Sequence, residues 1–189
     1  MIKIIDNFLP KEEHQKICES LFSNVFPWYF NEYVVDPEET QCVDAFQFVH
    51  TFYREYAVTS NFYPVLTPII EKIKPQALVR IKANLIPVAK EILTSKFHTD
   101  NFFKCVTGIY YLNTTNGPTV FETGERVNSV ANRFVVFDSD LRHASSRCTD
   151  HKRRCVINFN YFGDASILGG MNYDDYDLHL PLFSGGWTA

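Results

Sequence analysis

The sequence predicts a mainly β chain with flanking helices (α+β), and three observations carry that expectation. Four runs, LVRIKANL (78–85), CVTGIYYLN (105–113), RFVVFD (133–138) and RCVINFNYF (154–162), are rich in β-branched and aromatic residues. Seventeen Phe and ten Tyr against eight Gly favour a sheet lined with aromatics. Two stretches, 11–22 and 61–73, instead space their apolar residues at the helical period. A length of 189 residues suits one domain with a proper core and is too short for two comfortable ones. Within it, residues 1–75 read as an N-terminal strand with supporting helices, 76–162 as the β core and 163–189 as a C-terminal tail.

Taken in order, IKII (2–5) is a short strand, and Asp6, Asn7 and Pro10 turn the chain into the first helix. There His14, Ile17, Cys18, Leu21 and Phe22 form one stripe, which makes His14 a packing residue rather than a ligand. Residues 25–58 mix strand-like FPWYF and FQFVHTFY with an acidic loop, DPEET, and leave His50 among aromatics. The second helix should start at a Ser60 cap, hold Pro64 in its first turn and be bent or shortened by Pro68. In the strand that follows, Arg80, Lys82 and Asn84 alternate with Val79, Ile81, Ala83 and Leu85. Lys82 is expected to face water, and Asn84 is a candidate to line a pocket.

VAKEILTSKF (88–97) is expected to deliver the chain, as loop or short helix, to His98. CVTGIYYLN then ends in a turn, NTTNGP, with TVF (119–121) starting its return partner. RFVVFD is a buried strand that ends just before His143. In RCVINFNYF one parity is Cys155, Ile157, Phe159 and Tyr161, fit to be covered by helices; the other is Arg154, Val156, Asn158, Asn160 and Phe162. Polar groups on the inner face of so apolar a strand need partners, so that row implies a polar ligand or water. The alternative is an edge strand whose polar parity faces solvent.

Composition narrows the function. The net charge of −4 gives no general attraction to nucleic acid or to an anionic membrane. Arg142, Arg147, Lys152 and Arg153 form a local basic group that either draws an anion or is a solvated loop. Five cysteines without a C-x-x-C pair suggest neither a zinc knuckle nor a redox dithiol and fit a reducing compartment. The opening MIKIIDNFLPKEEH does not read as a signal peptide, no apolar run reaches membrane-spanning length, and a cytoplasmic location is expected. Asn113-Thr114-Thr115 matches a glycosylation acceptor in form and reads as a turn.

The candidate chemistry centres on His98-Thr99-Asp100 and the later His143. With one residue between them, His98 and Asp100 project to the same side of an extended segment. Two imidazoles and one carboxylate can occupy one face of an octahedral iron(II) ion and leave the opposite face open. A bare His-x-Asp is common by accident, so the surrounding segments decide.

Those segments resemble a known family. HTDNFFKCVTGIYYLN (98–113), RFVVFDSDLRHAS (133–145) and RCVINFNYF (154–162) are similar to the core of the prolyl-4-hydroxylase-like iron(II)/2-oxoglutarate dioxygenases, and IIDNFLPKEEH resembles their N-terminal strand and helix. The resemblance implies a double-stranded β-helix, or jelly-roll, core with the helices outside the larger sheet. It implies iron(II) held by His98, Asp100 and His143, with 2-oxoglutarate and dioxygen as cosubstrates and ascorbate as an accessory reductant. Arg154 would pair two-pronged with the distal carboxylate of 2-oxoglutarate, with Arg153 as its competitor for that role. Tyr111 would touch the same carboxylate and Thr107 would line the cosubstrate pocket. Asn160, where close relatives carry a tryptophan, Asn158 and Asn84 are candidate substrate residues. The presence of Asp100 points to hydroxylation rather than halogenation, since halogenating relatives lack that carboxylate.

Three functions fit these residues. One is hydroxylation of a prolyl or other amino-acid side chain in a peptide or protein. The second is the same chemistry on a small molecule or a nucleobase, nucleic acid being disfavoured by the charge. The third is a catalytically idle metal-binding module on the same scaffold.

Overall fold

The computed structural model describes residues 2–35, 45–101 and 103–163. Cys42, the whole DPEET loop and the tail from residue 164 lie outside the described residues. In chain order the elements are β1 (Lys3–Ile5), α1 (Lys11–Leu21), β2 (Tyr29–Asn31), β3 (Gln47–Arg54), β4 (Ala57–Val58), a 3-10 turn (Tyr63–Leu66) and α2 (Thr67–Ile73). They continue with β5 (Pro75–Pro87), β6 (Val106–Tyr111), β7 (Thr115–Phe121), β8 (Arg126–Ser129), β9 (Phe134–Asp138), β10 (His143–Ser145) and β11 (Arg153–Gly163).

Antiparallel pairing builds a larger sheet in the order β1-β9-β6-β11-β5-β3-β2, with β4 on β3, and a smaller one in the order β10-β7-β8. β11 lies between β5 and β6, so both of its edges are paired. On one face Cys155, Ile157, Phe159 and Tyr161 join Ile17 and Leu21 of α1 and Ile69 and Ile73 of α2 in a single core. Across the other face Ile109, Tyr111, Val135, Phe137 and Val156 pack with Phe121 and Val127 of the smaller sheet. Two facing antiparallel sheets with helices outside the larger one make a double-stranded β-helix. The cleft between the sheets is where the inner parity of β11 ends up. Among the described residues no helix is long and apolar enough to cross a membrane.

Two expectations need correction. The helix over 61–73 is shorter: Ser60 Oγ accepts from the Phe62 amide at 3.0 Å, which starts a 3-10 turn, and α2 begins only at Thr67. Pro68 then falls in the first turn of α2, where its missing N–H is harmless. The second correction concerns NTTNGP. β7 already begins at Thr115, and it pairs with β8 and β10 rather than returning along β6. The Asn113 amide explains the departure, since it donates to the Arg153 carbonyl at 2.8 Å and accepts from the Cys155 amide at 2.9 Å. Pinned to β11 in this way, the chain leaves the larger sheet and crosses to the smaller. The four described cysteines are free.

Candidate active site

A backbone bridge places the two histidines. The His98 amide donates to the His143 carbonyl at 3.0 Å and the His143 amide returns the bond at 2.9 Å, so the ring centroids lie 4.7 Å apart. The segment before His98 is stitched to the smaller sheet along its length, with the Arg147 amide donating to Leu93 O (2.8 Å) and the Ser95 amide to Ser145 O (2.9 Å). Each imidazole is also oriented from behind. Nδ1 of His98 meets Lys96 O at 3.3 Å and Nδ1 of His143 meets Leu141 O at 3.1 Å. With each Nδ1 donating to its carbonyl, each Nε2 keeps a lone pair for an ion. Burial first, then the neighbouring His143, holds His98 below its ordinary pKa, which favours the neutral, ligating form.

Asp100 completes a group whose ligand atoms all lie within 4.8 Å of one another. Its carboxylate is held on both oxygens. Arg80 Nη2 donates to Oδ1 at 3.1 Å, while Asn160 Nδ2 (3.1 Å) and Thr107 Oγ1 (3.4 Å) donate to Oδ2. Asn160 also donates to Thr107 Oγ1 at 3.0 Å and accepts from Arg80 Nε at 3.2 Å, which closes the network. Burial pushes Asp100 up, but His143, Arg80, the Asn160 hydrogen bond and His98 together outweigh it and leave the pKa below the usual carboxylate range.

At the other end of the inner parity of β11, Arg154 is 1% exposed. Its Nε donates to Gly117 O and Ser129 Oγ and its Nη2 to Thr119 Oγ1, each at 2.8 Å. A Cβ on Gly117 would sit 2.8 Å from the Arg147 carbonyl oxygen, so only glycine lets β7 come this close. The Tyr111 ring lies 5.5 Å from the guanidinium carbon and its hydroxyl meets Thr119 Oγ1 at 2.6 Å. All of these partners are neutral. No described carboxylate pairs with Arg154, and burial pulls its pKa below the ordinary value. A buried guanidinium held only by neutral acceptors lacks the anion that usually accompanies it.

The cleft between these two ends, about 500 Å³ of empty space with its open mouth included, is lined by His98, Asp100, His143 and Arg154. Asn84 and Asn158 also line it. Thr107, Tyr111 and Asn160 do not: Thr107 and Asn160 lie beneath Asp100 and Tyr111 beneath Arg154. Lys82 is a correction, because it lines the cleft instead of facing water. Burial first, then Arg80, brings it down to about 8. Arg153 lies over the Phe22 ring at 4.0 Å, away from the cleft. The rest of the basic group also disperses, with Arg142 paired to Glu122 and Arg147 bonded to Phe46 O and Pro87 O. His14 meets the Tyr110 hydroxyl and His50 bridges Pro27 O and Ser60 Oγ; both are packing residues.

The sequence reading passed over Arg80, Thr119, Ser129 and Gly117, and over Gln47, whose side chain also lines the cleft. Arg80 carried a signal, since it shares the parity of Asn84. The others stand in runs of ordinary composition.

The donor set suits a divalent ion such as iron(II): two imidazoles, one carboxylate and an open cleft in front of them. Arg154, short of an anion at the far end of the same cleft, suits a dicarboxylate that also reaches the ion.

No protein-family model and no curated protein matches this sequence. Among solved structures the chain is similar to a prolyl hydroxylase from Trichoplax adhaerens, in complex with a hypoxia inducible factor peptide (TM-score 0.61, 15% identity, 90% of this chain and 87% of that one). It is similar to a 2-oxoglutarate/iron(II) oxygenase family protein from Burkholderia pseudomallei (TM-score 0.62, 12% identity, 85% and 84%). It is also similar to a non-heme α-ketoglutarate-dependent epimerase of nogalamycin biosynthesis (TM-score 0.59, 11% identity, 86% and 78%). The chain has the double-stranded β-helix fold of the prolyl-4-hydroxylase-like 2-oxoglutarate oxygenases.

Proposed function

We propose that this chain is an iron(II)- and 2-oxoglutarate-dependent dioxygenase that hydroxylates an unactivated C–H bond of a prolyl or other amino-acid side chain. The observation that carries the reading is one cleft with a metal-ligand triad at one end and a carboxylate-deficient buried arginine at the other. When bound, iron(II) with 2-oxoglutarate and dioxygen supplies the oxidation, in which R–H, 2-oxoglutarate and O₂ become R–OH, succinate and CO₂.

The chain's own residues do the positioning. His98, Asp100 and His143 hold the ion, and the carbonyls of Lys96 and Leu141 fix the two rings. Arg80, Asn160 and Thr107 keep Asp100 ionised and immobile. Arg154, with Thr119 beside it, receives the distal carboxylate of the cosubstrate. Val34, Ile86, Ile109 and Val156 make the apolar part of the wall and limit water near the reacting centre. The same chemistry on a small molecule is a second reading, favoured by Lys82 and two asparagines in the cleft wall.

The test is conversion of 2-oxoglutarate to succinate by purified, iron-loaded protein with ascorbate present. Asp100→Ala should abolish it; turnover retained at saturating iron and 2-oxoglutarate would sink the assignment. An idle module would give no succinate even from the wild-type chain.

A further inference from the structure

The cleft wall carries polar groups that nothing in the protein completes. Lys82 and Asn84 come from β5 and Asn158 from β11, and the strand register sets Asn158 opposite Lys82 and Val156 opposite Asn84. Asn84 is 7% exposed, and Oδ1 of Asn158 is buried without a hydrogen-bond partner. Among the described residues neither the Lys82 ammonium nor the Asn84 amide has a hydrogen bond or an ion pair. Buried polar groups are kept in this state where a ligand completes them.

Charge identifies what is missing. Asp100 is the one carboxylate among the lining residues, and Arg80 already pairs with it. Given the proposed cosubstrate, one carboxylate of 2-oxoglutarate goes to Arg154 and the other to the ion. Lys82 is then the cation left over, an ammonium pulled down to about 8 by burial first and then by Arg80, with the charge of Asp100 offsetting only part of that. Its neighbours are amides, which offer both a donor and an acceptor.

We propose that Lys82, flanked by Asn84 and Asn158, is the subsite for a carboxylate on the primary substrate, so that the enzyme oxidises a free amino acid rather than a residue within a peptide. The carboxylate accepts from the Lys82 ammonium, and the substrate's amino group meets the amide oxygens beside it. The inference rests on the dioxygenase reading and chooses between its two substrate classes.

The experiment uses the iron-loaded protein with 2-oxoglutarate and two matched pools, the free L-amino acids and their carboxamides. The free acids should accelerate succinate formation and yield a product one oxygen heavier, and the carboxamides should not. For the amino acid that responds, Lys82→Met should raise KM at least about 30-fold, as expected for removing one partner of a buried charge pair. That rise should exceed any rise in the KM for 2-oxoglutarate by about tenfold or more, and Lys82→Arg should recover part of it. Equal response to the carboxamides or to a capped prolyl peptide overturns the proposal. So does a Lys82→Met effect confined to 2-oxoglutarate. Background succinate formation without any pool separates the two levels: if it is present and the free acids do nothing, only the subsite fails; if it is absent with and without the pools, the dioxygenase reading fails with it.

Discussion

Along β11 neighbouring side chains live in different chemistry. Cys155, Ile157, Phe159 and Tyr161 press against α1 and α2 in the main core, whereas Arg154, Val156 and Asn158 line the cleft and Asn160 props up Asp100. The first face is apolar apart from one hydroxyl and gains stability from burial. The second buries a guanidinium and two amides, which costs stability unless something polar completes them. One strand therefore carries the fold on one side and the chemistry on the other. Substitutions on the two sides should fail in different ways.

The largest effect expected is on the packed side. Phe159→Ala removes a ring that is fully buried and sits 6.1 Å from that of Phe134, and should cost about 3–5 kcal/mol of unfolding free energy in a urea titration. A cost below about 1 kcal/mol would break the contrast.

Arg154→Met is the matching change on the cleft side. It should raise the KM for 2-oxoglutarate by a factor corresponding to about 2–5 kcal/mol, while the urea midpoint stays level or rises, because an unpaired buried charge has been removed. A large drop in midpoint with unchanged KM would reassign Arg154 to the fold.

Asn160→Ala tests the support beneath Asp100. Iron(II) or manganese(II) affinity should fall by about 10- to 100-fold with little change in stability. Wild-type metal affinity in this variant would mean that Arg80 suffices alone.

The smallest effect is on pH dependence. Burial holds both His14 and His50 below their ordinary pKa of 6.5. The unfolded chain therefore takes up protons below pH 6.5 that the folded chain refuses, so their contribution is complete above that pH and lost as pH falls toward the folded values. Tm of the metal-free protein should decline on going from about pH 7.5 to 5.5, and His50→Gln should flatten the decline.

Parity explains what could be read in advance. A strand alternates faces whatever its partners are, so the two rows of β11 were legible in RCVINFNYF, as was the placement of Asn84. Lys82 was misread because a lysine in an alternating strand normally reaches water; it takes the neighbouring sheet to enclose it. The acceptors around Arg154 were not legible, since Gly117, Thr119 and Ser129 come from strands of the smaller sheet with no periodic signal of their own. The path of β7 was missed for a related reason. Consecutive strands usually pair, and only the Asn113 side chain, tied to β11, marks the crossing. Parity gives the side of a strand and not the depth, so it did not show that Thr107 and Asn160 bond to Asp100 or that Tyr111 bonds to Thr119.

The reciprocal amide bonds between His98 and His143 carry a consequence for metal choice. The separation of the two rings is written into the main chain, so it is set before an ion arrives and persists after one leaves. Exchanging a ring for another ligating side chain would then alter which element is preferred without moving the spot where it rests. Amide exchange at these two positions should accordingly be equally slow in the empty and the loaded protein.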